Sequence, residues 1–152
     1  MAAGWGGALV VCALTLFISI SISKRRWSRI PTFVPAGGWG AVCVDARSRY
    51  AWRGMLLESS GLRLVTAKGM TVGTLSWRDI AETDVGAVTV ANTVVSHVGL
   101  ILTLKTGRTL QFLFPSPTTM MTYPSGLALR AASEIDRRRG AAIPSDFVWP
   151  QE

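Results

Sequence analysis

The sequence predicts a mainly β domain, a bent antiparallel sheet or barrel capped by a C-terminal helix, preceded by an N-terminal transmembrane helix. Three observations predict it. Residues Ala2 to Ser23 contain no charged side chain. The stretch from Arg53 to Phe114 breaks into short runs rich in Val, Leu, Ile and Thr separated by turn residues. Ser125 to Arg139 carries apolar residues at helical spacing. Composition agrees: of 152 residues, 49% are hydrophobic and only 16% charged, against about 25% charged in ordinary soluble domains. The length excludes a multidomain enzyme but allows one domain to bury its own core.

The first element spans residues 2–23. Twenty-two helical residues at about 1.5 Å each reach about 33 Å, enough for a hydrocarbon core of about 30 Å. The alternation Ile18-Ser19-Ile20-Ser21-Ile22 looks like a strand. An isolated strand in lipid leaves its backbone unpaired, however, and a helix does not. A cleaved signal would carry positive charge before the apolar run. Here the order is reversed, with Lys24, Arg25, Arg26 and Arg29 directly after it, which favours a retained anchor. By the positive-inside rule this flank stays cytoplasmic, so the expected location is the plasma membrane, single-pass, with the N-terminus outside. Trp5 and Trp27 bracket the span at interfacial depth. Trp5, Lys24, Arg25, Arg26, Trp27 and Arg29 are therefore the expected membrane and lipid contacts.

The net charge of +7 is not spread evenly. Residues 24–53 hold seven basic residues and one acid, a net of +6, and residues 54–152 hold nine basic and eight acidic, a net of +1. A nucleic-acid binder would show its basic face on the domain or a reading motif, and neither is present. Basic residues beside a membrane segment instead attract anionic lipid headgroups. Arg137-Arg138-Arg139 reads as favourable placement at a helix C-terminus before Gly140.

Residues 24–41, with Pro31, Pro35, Gly37, Gly38 and Gly40, read as a basic juxtamembrane segment and linker. The folded domain is expected over 42–143. Its strands are expected at Arg53–Glu58, Leu62–Thr66, Met70–Leu75, Val85–Val95, Val98–Leu104 and Thr109–Phe114, with Lys105-Thr106-Gly107-Arg108 as a hairpin turn. Leu127, Ala131 and Ile135 mark the core-facing stripe of the closing helix. Leu62, Leu64, Val72, Ile80, Leu102, Leu104, Phe112 and Phe114 are the expected core of the sheet.

The run Gly61-Leu62-Arg63-Leu64, Gly69-Met70-Thr71-Val72, Leu75 to Ile80 and Leu100 to Phe112 resembles bacterial PH/GRAM-like domains, which are often attached to membrane spans in actinobacterial proteins. The resemblance covers about residues 50–140. It implies a PH-like bent sheet capped by a helix, used as a binding or assembly module. The basic loop with which eukaryotic PH domains bind phosphoinositides has no counterpart, since the Ser59–Gly61 turn is uncharged and the Lys68 turn carries one cation.

Chemistry is sparse. His97 is the only histidine, and no local set of Cys or carboxylates completes a zinc site. Asp79, Glu82 and Asp84 are hard oxygen donors without the calcium-loop pattern, and surface turn chemistry explains them. Ser21-Ile22-Ser23-Lys24 and Lys105-Thr106-Gly107 match two elements of the penicillin-binding set, but the third is missing and that fold is far larger than this chain. GxSxG, Walker A and HExxH are absent, so no catalytic residue, cofactor or metal is expected. Cys12 lies in the span and Cys43 beyond it, which argues against a disulfide between them.

The expected function is a non-enzymatic, membrane-anchored cytoplasmic binding module, an adaptor or accessory subunit of an integral membrane protein or complex. The alternative is a peripheral module that recognises anionic lipid headgroups. In the tail, residues 144–152, Phe147 and Trp149 are apolar where a frayed end is normally polar. They either fold back on the domain or anchor a partner or the membrane interface.

Overall fold

In the computed structural model, which describes residues 4–47, 52–91, 93–120 and 122–142, seven strands and two α-helices follow one another along the chain. Helix α1 (Gly4–Trp27) leads through a 3-10 turn (Ile30–Phe33) into β1 (Trp39–Asp45), β2 (Trp52–Leu57), β3 (Gly61–Val65) and β4 (Thr71–Ser76). A second 3-10 turn (Trp77–Asp79) then leads to β5 (Ile80–Thr89), β6 (Ser96–Leu104), β7 (Thr109–Leu113) and helix α2 (Ser125–Ala142). All pairings are antiparallel in the order β4-β3-β2-β1-β7-β6-β5. The sheet is mainly β, curled into a half-barrel, with α2 closing its inner face.

Strand alternation explains the curl. Cys43, Met55, Leu57, Leu62, Leu100, Leu102 and Phe112 share one inner cluster, which Ala128, Ala131 and Ile135 of α2 complete. The intervening positions are also covered in places. Leu56 and Val65 pack outward with Ile30, while Val88 and Leu113 join Ala46 and Val90 beneath Tyr123. The core residues expected from the sequence are buried or half-buried here except Val72, half of which is exposed. The register sets this outcome: Leu75 opposite Leu62 points inward, so with a period of two Val72 faces solvent on the edge strand.

The connections are tied to one another by single hydrogen bonds. The Ala91 amide donates to the Ala46 carbonyl at 2.8 Å, which ties the β5–β6 connection to the chain just after β1. The Lys105 amide donates to the Asp79 carbonyl at 2.9 Å, which ties the β6–β7 turn to the β4–β5 turn. The Trp77 indole in turn donates to the carbonyls of Glu58 and Ser59 in the β2–β3 turn at 3.1 and 3.0 Å. The 105–108 hairpin forms as expected, with Gly107 at φ 83°.

Four expectations need correction. Residues 30–40 are not a linker. Ile30 is fully buried, and Gly54 makes room for it, since a Cβ on Gly54 would lie 2.5 Å from Ile30 Cδ1. Gly40 likewise lets Val34 approach, because a Cβ there would lie 2.6 Å from Val34 Cγ2. These glycines thus belong to strands covered by the incoming chain, and β1 begins at Trp39 rather than after residue 41.

Strand β5 starts at Ile80, because Glu82-Thr83-Asp84-Val85 alternates exposed and half-buried side chains on an edge strand. Helix α2 continues through Gly140 to Ala142, so that of its three arginines Arg139 falls in the last turn while Arg137 and Arg138 lie before it. Arg138 donates to the Gly37 carbonyl at 2.8 Å and pairs with Glu134, and Arg139 donates to the Ala81 carbonyl at 2.8 Å. They fasten the helix to the sheet.

The last correction concerns the span. Helix α1 forms where it was expected but runs on to Trp27, so Lys24, Arg25 and Arg26 make up its last turn. Among the described residues, no helix is long and apolar enough to cross a membrane. The α1 side chains are described only from Val11 onward. The transmembrane helix expected over 2–23 is thus met as a helix that runs on to Trp27. Residues 143–152, with Phe147 and Trp149, and the side chain of Trp5 lie outside the described residues.

Candidate functional site

The site is built where α1 reaches the sheet. The helix is terminated by its own side chains: the Ser28 hydroxyl donates to the Arg25 carbonyl at 2.8 Å, and the Thr32 hydroxyl donates to the Arg29 carbonyl at 2.6 Å. Pro31 cannot continue an α-helix but suits the opening of the 3-10 turn. Lys24, Arg25 and Arg26 lie against the negative end of the helix dipole, which favours cations there. Trp27 is half-buried against Trp52 at the start of β2, with ring centroids 6.3 Å apart. Ile30 then locks the chain onto Gly54, Leu56 and Val65.

The β3–β4 turn closes the site from the other side. The Thr66 amide donates to the Met70 carbonyl at 2.8 Å and the Gly69 amide to the Thr66 carbonyl at 2.9 Å. Gly69 has φ +84°, and a Cβ there would lie 3.0 Å from the ring of Phe33. The turn therefore rests on Phe33 and brings Lys68 beside the end of α1.

Two cavities result, both bordered by Arg26 and Ala67. One of about 410 Å³ lies between Ser23, Arg26, Trp27, Trp52 and Arg53. The other, of about 430 Å³, lies between Arg26, Arg29, Phe33 and Lys68. Arg26 and Arg53 line the first and Arg26, Arg29 and Lys68 the second, so four cations border one cleft that Arg26 and Ala67 divide, and among the described residues no carboxylate lines either cavity. Among the described residues, the ion pairs lie elsewhere, joining Arg63 to Glu58 and Arg137, Arg138 and Arg139 to Glu134 and Asp136. On the far side of Trp27 a third cavity of about 270 Å³ is mainly apolar, walled by Ile30, Val42, Pro115, Met120 and Leu127 with Lys24 at its edge. Met70, in the turn that carries Lys68, is also exposed.

Of the residues expected to contact membrane or lipid, Arg26, Trp27 and Arg29 come together in this cleft. Lys24 faces the apolar cavity, and Arg25 is exposed outside all three. Sequence reasoning missed Trp52, Arg53 and Lys68 as members of the cleft. The signal available was the Lys68-Gly69 pair, a turn carrying a cation.

Other candidates are accounted for locally. His97 in β6 stacks near Tyr123, with centroids 4.8 Å apart. Asp79, Glu82 and Asp84 form no metal-binding group among the described residues. Burial pushes the Cys43 thiol well above its ordinary range, with Asp45 adding to the shift, so it stays protonated and unreactive. The residues Ser21 to Lys24 sit in α1, and residues 105–107 in the β6–β7 turn.

In comparison with known proteins, no family model matches the chain, and no curated protein matches it.

Proposed function

We propose that this protein is a non-enzymatic binding module held at the plasma membrane by α1, with the N-terminal side of the helix outside and the sheet domain in the cytoplasm. The domain is proposed to be PH-like, of the PH/GRAM kind. The single observation that carries the reading is the continuity of one surface. Val11, Leu14, Leu16, Phe17 and Ile22 are each more than half exposed, and this apolar helix runs directly into a basic cleft that no carboxylate lines among the described residues. Exposed apolar surface of that extent requires a cover in water. A bilayer supplies one, and the cations beside it gain attraction from anionic headgroups. Supporting the orientation, Met70 is exposed in the β3–β4 turn that carries Lys68.

With that turn toward the membrane, the opposite end of the β3–β4 hairpin and the outer face of α2 are presented to the cytoplasm. That geometry suits an adaptor or accessory subunit of an integral membrane protein. The alternative of anionic-lipid recognition is favoured by one specific observation, the four cations around the cleft. Two experiments test the reading. A C-terminal reporter fusion should be active only in the cytoplasm, and activity outside would overturn the orientation. Affinity purification of the full chain in mild detergent should recover a stoichiometric integral membrane protein, and recovery of the chain alone from native membranes would remove the adaptor reading.

A further inference from the structure

From the arrangement of Arg26, Arg29, Arg53 and Lys68 we infer that the cleft between α1 and the β3–β4 turn is a binding site for one phosphate-bearing anion, the headgroup phosphate of an anionic phospholipid or a free phosphate. This inference deepens the membrane-module reading and rests on it for the lipid source alone.

The cations come from three separate elements. Arg26 and Arg29 come from the end of α1 and the segment just after it, Arg53 from β2, and Lys68 from the turn resting on Phe33. Holding like charges together without counter-ions is unfavourable, and among the described residues no carboxylate lines the cleft to offset it. The cluster is nevertheless held in place by packing: Ile30 is buried on Gly54, Trp27 rests on Trp52, and Gly69 lies over Phe33. Arg53 is oriented through its guanidinium, which donates to the Trp52 carbonyl at 2.8 Å and keeps other donors available.

Planar guanidinium groups match phosphate oxygens in bidentate fashion, and an ammonium adds a point charge. The cavity of about 410 Å³ is ample for a phosphate with its glycerol substituent, and Trp27 supplies the amphipathic wall that an interfacial headgroup meets. Arginines forming only a diffuse basic flank would have no such enclosure.

The test uses the full chain purified in neutral detergent, titrated with phosphatidylglycerol and separately with phosphatidylcholine, and read by native mass spectrometry. One phosphatidylglycerol should be retained at least tenfold more tightly than phosphatidylcholine. The Lys68→Gln variant should weaken retention about fivefold, and Lys68→Gln with Arg53→Gln about thirtyfold, at the usual gain for each cation near an anionic lipid. The pair Lys105→Gln and Arg108→Gln removes the same charge from the β6–β7 turn, outside the two cationic cavities, and should stay within twofold. Lys68 is an exposed turn residue, so that single variant reports even if the Arg53 variant fails to fold.

Millimolar inorganic phosphate separates the sources. Displacement of the lipid identifies a site for phosphate of either source, and retention despite phosphate identifies a phospholipid site; both support the cleft. Equal retention of the two lipids, or equal weakening by the two pairs of substitutions, overturns it. A chain that stays soluble without detergent yet binds phosphate through Lys68 contradicts the anchor and supports the cleft. Membrane partitioning with lipid retention insensitive to residues 53 and 68 does the reverse.

Discussion

Replacing Ile30 by Ala examines how firmly α1 is joined to the sheet. Ile30 is fully buried and meets Leu56, Val65 and the bare backbone of Gly54. The substitution removes three carbons, about 2.4 kcal/mol at about 0.8 kcal/mol for each buried carbon. The void is floored by strand backbone that cannot easily move in, so a cavity contribution adds to this, giving about 3 kcal/mol. In a domain near 100 residues each kcal/mol lowers Tm by about 4–8 °C, so a fall of more than about 10 °C is expected for the full chain in detergent.

Gly54→Ala supplies the internal control. Its new methyl would lie 2.5 Å from Ile30 Cδ1 and 2.9 Å from Val65 Cγ2, so it destabilises the chain that retains Ile30. In the double variant the same methyl occupies the space that Ile30 has vacated. The two effects should therefore be less than additive by about 1 kcal/mol or more. Strict additivity, or an Ile30→Ala chain melting within about 2 °C of the parent, would refute the docking of residues 30–34 on the sheet.

Further outcomes follow from the same packing. Ile135→Asp places a charge without a partner in the inner cluster, costing several kcal/mol, and should abolish cooperative melting. Cys43 should resist alkylation in the native chain at pH 8 and label only after unfolding, as intact-mass measurement of a Cys12→Ser background would record. Hydrogen bonds from Arg137 and then Arg138 hold the Glu134 carboxyl below its ordinary value. Its folded pKa is thus below its unfolded one, so its contribution is present above about pH 4.5 and is lost as pH falls through the folded value. Glu134→Gln should flatten the fall of Tm over that acidic window and leave the profile near neutrality unchanged.

Much of this architecture is legible in the residues, for reasons the packing makes plain. The β2, β3, β6 and β7 runs alternate or are continuously apolar because they face the closed side of the half-barrel, and the Leu127, Ala131, Ile135 stripe marks how α2 covers it. Strand β1 is hidden because Gly38 and Gly40 look like linker glycines. Their use becomes visible only when Val34 is seen packed against them. The start of β5 is hidden because Glu82 and Asp84 are poor strand formers, accepted here on an edge with an exposed face.

At the site, charge order points to Arg26, Trp27 and Arg29. Arg53 and Lys68 join them through strand pairing and a turn distant in sequence, a relation that no local pattern carries. The arginines of α2 show the converse: a local rule places them at a helix end, and long-range bonds to Gly37 and Ala81 give them their role.

The orientation of the sheet on the bilayer is tested most directly by depth measurement. Nitroxides attached at Met70→Cys and at Ser60→Cys, in a Cys12→Ser chain reconstituted into vesicles containing phosphatidylglycerol, report the two ends of the β3–β4 hairpin separately. Power saturation with oxygen and with a water-soluble nickel chelate is expected to place residue 70 at the membrane surface, preferentially reached by oxygen. Residue 60 should be fully accessible to the chelate. Equal chelate access at both positions, or residue 60 at the membrane and residue 70 in water, would contradict the account.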